Sequence, residues 1–342
     1  MNRIPDISIR VHGGMTPGAC VAFAQAADAA GFLSVWFAEN AFARGILPAA
    51  AACAVATDRL QISAGVFNPF SRHPTMMAME IGALDELSNG RATLSIGSGI
   101  VSATGKIGFS TEKPLLALRD SLTIVRGLLR GEEVDHAGPA FSARKVKLDY
   151  KPRADIPVFL AGRGNLTVKL SGEEADGLII PNMCSVEFAG RIAELMQASR
   201  RTAGRAGTGR VVQYMPCAVG KNSKAAMDVA KRAVGEMVPG FWTLGQKLSS
   251  AKDALLAGTN ITEKEFATAA ARLRTGEDAA QVLDERFATA FSLAGKPEDC
   301  LASACRYGAA GVTELALTFG GPTALADIKL LGDTFASWRR AQ

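Results

Sequence analysis

Short, β-rich apolar runs alternate along this chain with longer Ala- and Leu-rich segments of helical character, and this alternation limits the fold more than any other property of the sequence. Eight such runs occur, at 6–11, 33–38, 60–66, 92–96, 156–161, 177–181, 211–219 and 312–318. Segments at 17–30, 45–56, 73–87 and 166–174 have the length of helices that cross between them. A strand that returns through a helix becomes a parallel neighbour, since parallel pairing needs a connection of a dozen or more residues. Eight strands linked this way predict an α/β fold, a closed (β/α)8 barrel of TIM type.

Two connections exceed a simple crossover. After strand four, a helix at 113–129 precedes GEEVDHAGPAFSARKVKLDYKP, whose Gly, Pro and alternating apolar positions predict an extended ribbon. After strand seven, residues 223–306 read as several helices, with a capping-type spacing from Thr262 to Glu265. Insertions within 97–156 and 220–310 are therefore expected over the barrel mouth. No low-complexity linker or tandem repeat divides the 342 residues, and one domain over 1–342 is expected.

Composition removes several function classes. A chain with 48% hydrophobic and 21% charged residues packs a core and is not intrinsically disordered. No apolar run reaches the roughly 20 residues of a membrane helix, so no membrane partner is expected. The opening MNRIPDISIRV enters a strand pattern without the features of a secretory leader, which points to the cytoplasm. Six cysteines include no CxxC pair, so neither structural zinc nor a disulfide framework is expected. The net charge of +5 comes from basic and acidic residues that interleave. The basic stretch at 200–210 reads as a helix end and loop, and no nucleic-acid partner is expected.

In barrel enzymes the loops after the strand C-termini build the site, which selects His12, Glu39, Asn40, Asn68, Arg72, Gly97 and Ser98. Within GVFNPFSRHP, Pro74 suits a first helical turn, and Arg72 and His73 either face solvent beside it or serve chemistry. SIGSG lacks the full GxGxxG fingerprint, so Gly97 and Gly99 provide either a close backbone approach at the rim or room for a flat ring. AGRGN either presents free amides to a phosphate at a helix start or forms an ordinary turn.

Seven segments in order, GFLSVWFAEN, GVFNPFSRHP, ELSNGRATLSIGSG, KPLLALRDSLTIVRGLLRGEEVDHAGPAF, IPVFLAG, GEEADGLII and AGKPEDC followed by GAAGVTELAL, span nearly the whole chain. Together they resemble the luciferase-like oxidoreductase superfamily, particularly its methylenetetrahydromethanopterin-reductase-like, deazaflavin-dependent branch. The resemblance implies a TIM-type barrel that holds coenzyme F420 (an 8-hydroxy-5-deazaflavin) or FMN at its C-terminal mouth and transfers hydride to or from a small organic substrate. It implies a bulged third strand with a non-prolyl cis peptide near Gly65 and Val66. It also implies a homodimer through the helices around 47–56 and 75–87 and, for an FMN enzyme, a separate flavin reductase.

Carried over by segment, Gly65, Val66, Phe67 and Asn68 would support and contact the ring, with Gly97 and Ser98 against its other parts. Gly162, Gly164 and Asn165, and separately Asn182, Met183 and Cys184, would lie near the tail or phosphate. His73, with Arg72, matches the RHP segment.

Two departures bear on mechanism. Where luciferase-like monooxygenases often carry an acidic residue followed by histidine after strand two, this chain has Glu39 followed by Asn40. Where reductase members often place a carboxylate on the first strand, it has Arg10 and His12. Glu39, His12 and His73 are the acid–base candidates, Glu39 leading, with a buried carboxylate tied to Arg44 or to backbone amides as its structural alternative. The competing functions are an FMN-dependent monooxygenase, a non-redox barrel lyase or isomerase using Glu39 and His12, and a non-catalytic flavin-binding protein.

Overall fold

Along the strands the side chains sort into two apolar environments, one facing the helices and one facing the barrel axis. This is the double burial that parallel strands require. The computed structural model describes residues 4–340, so both ends of the expected 1–342 domain lie outside the described residues. The strands are β1 (Asp6–His12), β2 (Ser34–Ala38), β3 (Gln61–Phe67), β4 (Ala92–Ile96), β5 (Val134–Ala137), β6 (Ser142–Val146), β7 (Val158–Ala161), β8 (Gly177–Ile180), β9 (Arg210–Val219), β10 (Leu293–Gly295) and β11 (Glu314–Phe319). The helices through the first insertion and the barrel wall are α1 (Pro17–Ala29), α2 (Ile46–Ala56), α3 (Pro74–Leu87), α4 (Val101–Lys106), α5 (Pro114–Leu129), α6 (Asn165–Glu174) and α7 (Val186–Thr202). Those that follow are α8 (Ser223–Gly235), α9 (Val238–Gly245), α10 (Ser249–Leu256), α11 (Glu263–Arg274), α12 (Ala279–Val282), α13 (Glu285–Phe291), α14 (Pro297–Ala309) and α15 (Ala324–Arg340).

Eight parallel strands run in the order β9, β11, β1, β2, β3, β4, β7, β8, and β8 pairs back onto β9 to close the barrel. The register sets Ile9 against both Leu317 and Val35, and Gly177 against Arg210. These are the eight strands expected from the sequence, with ends displaced by at most two residues. The expected ribbon is the antiparallel hairpin β5–β6. A further strand went unforeseen: β10, only three residues long, takes up the edge of β9 at Cys217, beyond the point at Gln213 where β8 stops pairing.

Outward residues such as Ile7, Ile9, Val11, Leu94, Leu160 and Leu317 form the main core under the helices. Inward residues Trp36, Phe159, Ile179, Val212, Tyr214 and Ala316 fill the barrel, with Trp36 edge-on to Phe159 at 5.3 Å and to Tyr214 at 6.1 Å. Below this aromatic layer, at the N-terminal end, Glu314 accepts hydrogen bonds from Ser8 Oγ (2.5 Å), Trp36 Nε1 (2.6 Å) and Arg210 Nη2 (2.6 Å). The barrel is a packed core with one closed end.

The hairpin packs on α3 and α5 through Ala78, Ile124, Leu128, Val134 and Ala143. Asp120 of α5 locks its turn, accepting from the backbone N–H groups of Ala140 (2.8 Å) and Phe141 (3.0 Å) and pairing with His136 Nε2 at 2.9 Å. The second insertion has a core of its own, in which Trp242 stacks on Phe266 at 5.7 Å and Met183, from the loop after β8, is buried. Thr262 and Glu265 form a reciprocal capping box at the start of α11, as their spacing predicts. No described helix is long and apolar enough to cross a membrane.

Candidate active site

The loop after β3 grows out of a break in the strand ladder. Between Ala64 and Phe67 the register against β4 shifts, and the Gly65–Val66 peptide is cis, as the family resemblance implied. Gly65 sits at φ +138°, and a Cβ there would run into the carbonyl and hydroxyl oxygens of Ser95, so only glycine fits. Val66 packs onto the aromatic layer inside the barrel, and a Cβ added to Gly97 would come within 2.6 Å of Val66 Cγ1. Asn68 ties the two loops together: its Oδ1 accepts from Phe70 N (3.0 Å) and its Nδ2 donates to Thr104 Oγ1 of α4 (2.8 Å). Ser98, beside Gly97, is half-buried at the same rim.

Glu39 leaves β2 next to this bulge, and its N–H donates to Gly65 O at 3.0 Å. Its carboxylate accepts from Arg72 Nη2 (3.3 Å), while Arg72 Nη1 reaches both oxygens of Glu80 at 2.7 and 2.6 Å. The guanidinium lies 4.6 Å from the centre of the Phe67 ring. Burial raises the Glu39 pKa above the usual carboxylate range, and Arg72, shared with a second carboxylate, opposes that rise without cancelling it. Arg44, one of the partners in the structural alternative for Glu39, is engaged elsewhere: it donates to the carbonyls of Gly13 (3.4 Å) and Gly14 (3.2 Å), because the loops after β1 and β2 pack together.

His12 ends β1 with its Nδ1 accepting from Gly14 N (3.1 Å), and burial together with nearby Arg10 lowers its pKa, which Glu236 partly offsets. His73 stands apart from this group. It caps α3, accepting Thr75 N at Nδ1 (3.2 Å), and sits edge-on to Phe141 of the hairpin at 5.7 Å.

Across the mouth, α6 begins at Gly164 with no side-chain cap, which leaves the first N–H groups of the helix free beside Gly162 and Asn165. Arg163 lies 5.0 Å from the Phe241 ring of the second insertion, and its Nη1 is buried without a partner. After β8, Asn182 Oδ1 is likewise buried and unpartnered. Met183 is buried in the core of the insertion. The Cys184 thiol is pushed up to about 11 by burial, with Arg163 pulling the other way.

Sequence reasoning noted Arg10 only as a departure and missed its partners. Arg10 Nη1 donates to Thr318 Oγ1 (3.1 Å) and the guanidinium lies 5.1 Å from the Tyr214 ring, while Arg10 Nε and the Tyr214 hydroxyl are buried with no partner. One signal was available: on β1 the apolar Ile7, Ile9 and Val11 alternate with Ser8, Arg10 and His12, which turns the cation inward.

The family model for luciferase-like monooxygenase matches residues 6–314. The chain belongs to the luciferase-like monooxygenase family. This luciferase-like chain is 26% identical over 314 residues to 5,10-methylenetetrahydromethanopterin reductase of Methanolobus tindarius, covering 91% of this chain and 93% of the relative. It superposes with a TM-score of 0.82 on the coenzyme F420 dependent tetrahydromethanopterin reductase of Methanopyrus kandleri, at 21% identity over 97% of this chain and 98% of the other. It also superposes, with a TM-score of 0.75 at 16% identity over 98% and 99% of the two chains, on the FMN-bound oxygenating constituent of 3,6-diketocamphane monooxygenase from Pseudomonas putida. These likenesses agree with the TIM-type barrel and with the family read from the seven segments, and the family makes the chain an oxidoreductase.

Proposed function

We propose that the barrel mouth binds the deazaflavin ring of coenzyme F420, with FMN as the alternative, and that the chain transfers hydride between that ring and a small organic substrate. One observation carries this reading: Arg163 Nη1 and Asn182 Oδ1 are buried without partners among the described residues around one mouth, above an aromatic floor. Buried polar atoms are nearly always paired, so such a group marks where a ligand with apolar faces and polar edges completes the bonding. A flavin-type ring with a phosphorylated side chain has that character, and the residues fit it.

Gly65, Val66, Phe67 and Asn68 with Gly97 and Ser98 are the candidates for the ring. The free amides at Gly162, Gly164 and Asn165, with Asn182, Met183 and Cys184, are candidates for the tail. The bound ring supplies the hydride chemistry. Glu39, its pKa raised, keeps its proton nearer to neutrality than a surface carboxylate and donates it to substrate. His12, its pKa lowered, is a neutral imidazole at pH 7 that orients substrate or accepts a proton. His73 is left to its cap. Asn40, standing where monooxygenases often carry histidine, favours hydride transfer over oxygen chemistry.

Val55, Met76, Met79 and Leu87 expose apolar side chains on and beside α2 and α3, and a homodimer through that face would cover them. All six cysteines are unpaired, which suits a reducing cytoplasm. With FMN as the ring, a separate flavin reductase would deliver it reduced.

The test is a parallel titration with coenzyme F420 and FMN, followed by absorption and fluorescence. Tight binding of the deazaflavin supports the reading, and tight binding of FMN alone shifts it to the monooxygenase. Binding of neither overturns both, in favour of a lyase or isomerase built on Glu39 and His12. A ring that binds but never exchanges hydride with any acceptor leaves a flavin-binding protein.

A further inference from the structure

The mouth holds a guanidinium deep in the barrel with no carboxylate among the described residues bonded to it. Glu314, at the opposite end of the barrel, is neutralised by Arg210 at 2.6 Å. Of the carboxylates near the mouth, Glu39 and Glu80 take Arg72, and Glu236 acts on His12 and not on Arg10. What surrounds Arg10 is Thr318 from β11, Tyr214 from β9 and His12 on its own strand, none of them acidic. Burial lowers the Arg10 pKa, yet an arginine does not shed its proton in a protein, so the charge stays and is poorly solvated. A cation lying against an aromatic ring recovers only part of that cost.

We infer that Arg10, held by Thr318 and lying over Tyr214, receives a carboxylate of the substrate, so that the substrate class is an organic acid. The guanidinium presents a planar fork that a carboxylate matches with two bonds, and its buried Nε has no other partner. The Tyr214 hydroxyl, also unpartnered, adds a neutral donor, and burial keeps it protonated by raising its pKa. One fixed positive charge and one hydroxyl balance one negative charge, which suits a carboxylate better than a doubly charged phosphate. Position separates this pocket from the ring: Arg10, Thr318 and Tyr214 stand on the adjacent strands β1, β11 and β9, whereas the proposed ring cradle lies across the barrel on β3 and β4.

The word substrate rests on the oxidoreductase reading above, and the experiment keeps the two apart. The probes are benzoate and its neutral isostere benzamide, titrated calorimetrically into the full chain. Coenzyme F420 is titrated separately by its fluorescence. Wild type should prefer benzoate to benzamide. Arg10→Met should weaken benzoate by roughly tenfold to a hundredfold, the loss of one charge-assisted pair, and should leave coenzyme F420 affinity unchanged. Arg10→Lys, which keeps the charge without the fork, should recover part of the affinity. Arg10→Met should also melt no lower than wild type, because it removes an unpaired buried charge.

Equal binding of benzoate and benzamide by wild type would overturn the inference. So would wild-type benzoate affinity in Arg10→Met, or a lower melting temperature for that variant. Loss of coenzyme F420 binding in a folded Arg10→Met, alone or with benzoate, would give Arg10 to the cofactor and overturn it as well. Failure of wild type to bind any ring cofactor strikes the oxidoreductase reading instead, and leaves the benzoate comparison to decide Arg10.

Discussion

At the N-terminal end of the barrel, Glu314 is 1% exposed and its carboxylate takes hydrogen bonds from Ser8, Trp36 and Arg210. At the C-terminal mouth, Arg10, Arg163, Asn182 and Tyr214 each keep a buried polar atom with no partner. Strands β1 and β9 supply residues to both ends, Ser8 and Arg210 to one and Arg10 and Tyr214 to the other, so strand identity does not explain the contrast. A closed polar network serves the fold, whereas an open one is stable only because the rest of the barrel holds it ready for a ligand. Substitutions at the closed end should therefore cost stability, and those at the mouth should cost binding or rate.

The largest effect is expected at the closed end. Glu314→Ala strands Arg210, the Trp36 indole N–H and the Ser8 hydroxyl together, and breaking such a buried pair typically costs about 3–5 kcal/mol. Urea unfolding of wild type and variant measures it. A loss within the ordinary surface range of about 0.5 kcal/mol would abolish the contrast between the two ends.

At the mouth, Glu39→Gln should lower the single-turnover rate of hydride transfer by ~10²–10⁴ while the protein stays folded. The pH dependence has a definite sign. Burial raises the folded-state pKa of Glu39 above its unfolded value, so the folded state favours the protonated form. The associated stabilisation is fully present below the unfolded pKa and is lost as pH rises through the folded one. Above that window the ionised Glu39 weighs on the fold, so Glu39→Gln should melt slightly higher than wild type there and should lose the fall in rate that a proton-donating Glu39 imposes as pH rises through its pKa. An unchanged rate and pH profile would leave Glu39 as a partner of Arg72 only.

Gly97→Val tests the ring cradle with a smaller expected effect. Its new side chain meets Val66 Cγ1, and such overpacking costs about 1–3 kcal/mol, here drawn from the bulge that would carry the ring. Ring affinity should fall, and Gly97→Ala should fall between. Wild-type ring affinity in a folded Gly97→Val would remove the β3–β4 rim from the cofactor site.

The barrel was legible because its strands are local: each is a short apolar run closed by Gly, Pro or a capping residue, so period and punctuation locate it. The bulge at 65–68 and the tightly packed Gly97 were legible for a related reason, since small residues after strand ends stand out in a linear reading. The charged network was not. The bond from Arg10 to Thr318 spans 308 residues and that from Arg210 to Glu314 spans 104, and both exist only once β11 pairs with β1 and β9. Glu39 shows the same limit at shorter range. Arg44 is near it in sequence, but the return of the chain through β3 brings Arg72 to it instead. Asp120 has no local signal at all, because His136 and the two backbone amides reach it only once the hairpin folds back onto α5.

His73 gives the smallest expected effect, and it tests whether the loop after β3 belongs wholly to the mouth. Its imidazole accepts from the N–H of Thr75 at the first turn of α3, as an N-cap side chain does, and its ring packs on Phe141 of the hairpin. Removing a cap costs about 0.5–2 kcal/mol, so His73→Ala should lose stability in that range. His73→Asn offers a side-chain oxygen to the same N–H and should recover most of it. Neither variant should alter the single-turnover rate, because the imidazole is engaged at the start of α3 and by Phe141, whereas Glu39 and Asn68 are held by Arg72 and Thr104. Melting curves and single-turnover rates on the two variants decide the matter together. A rate that falls in His73→Asn while its stability is restored would mean that this imidazole takes part in the chemistry, and the division between a structural end and a reactive mouth would then run through the loop itself.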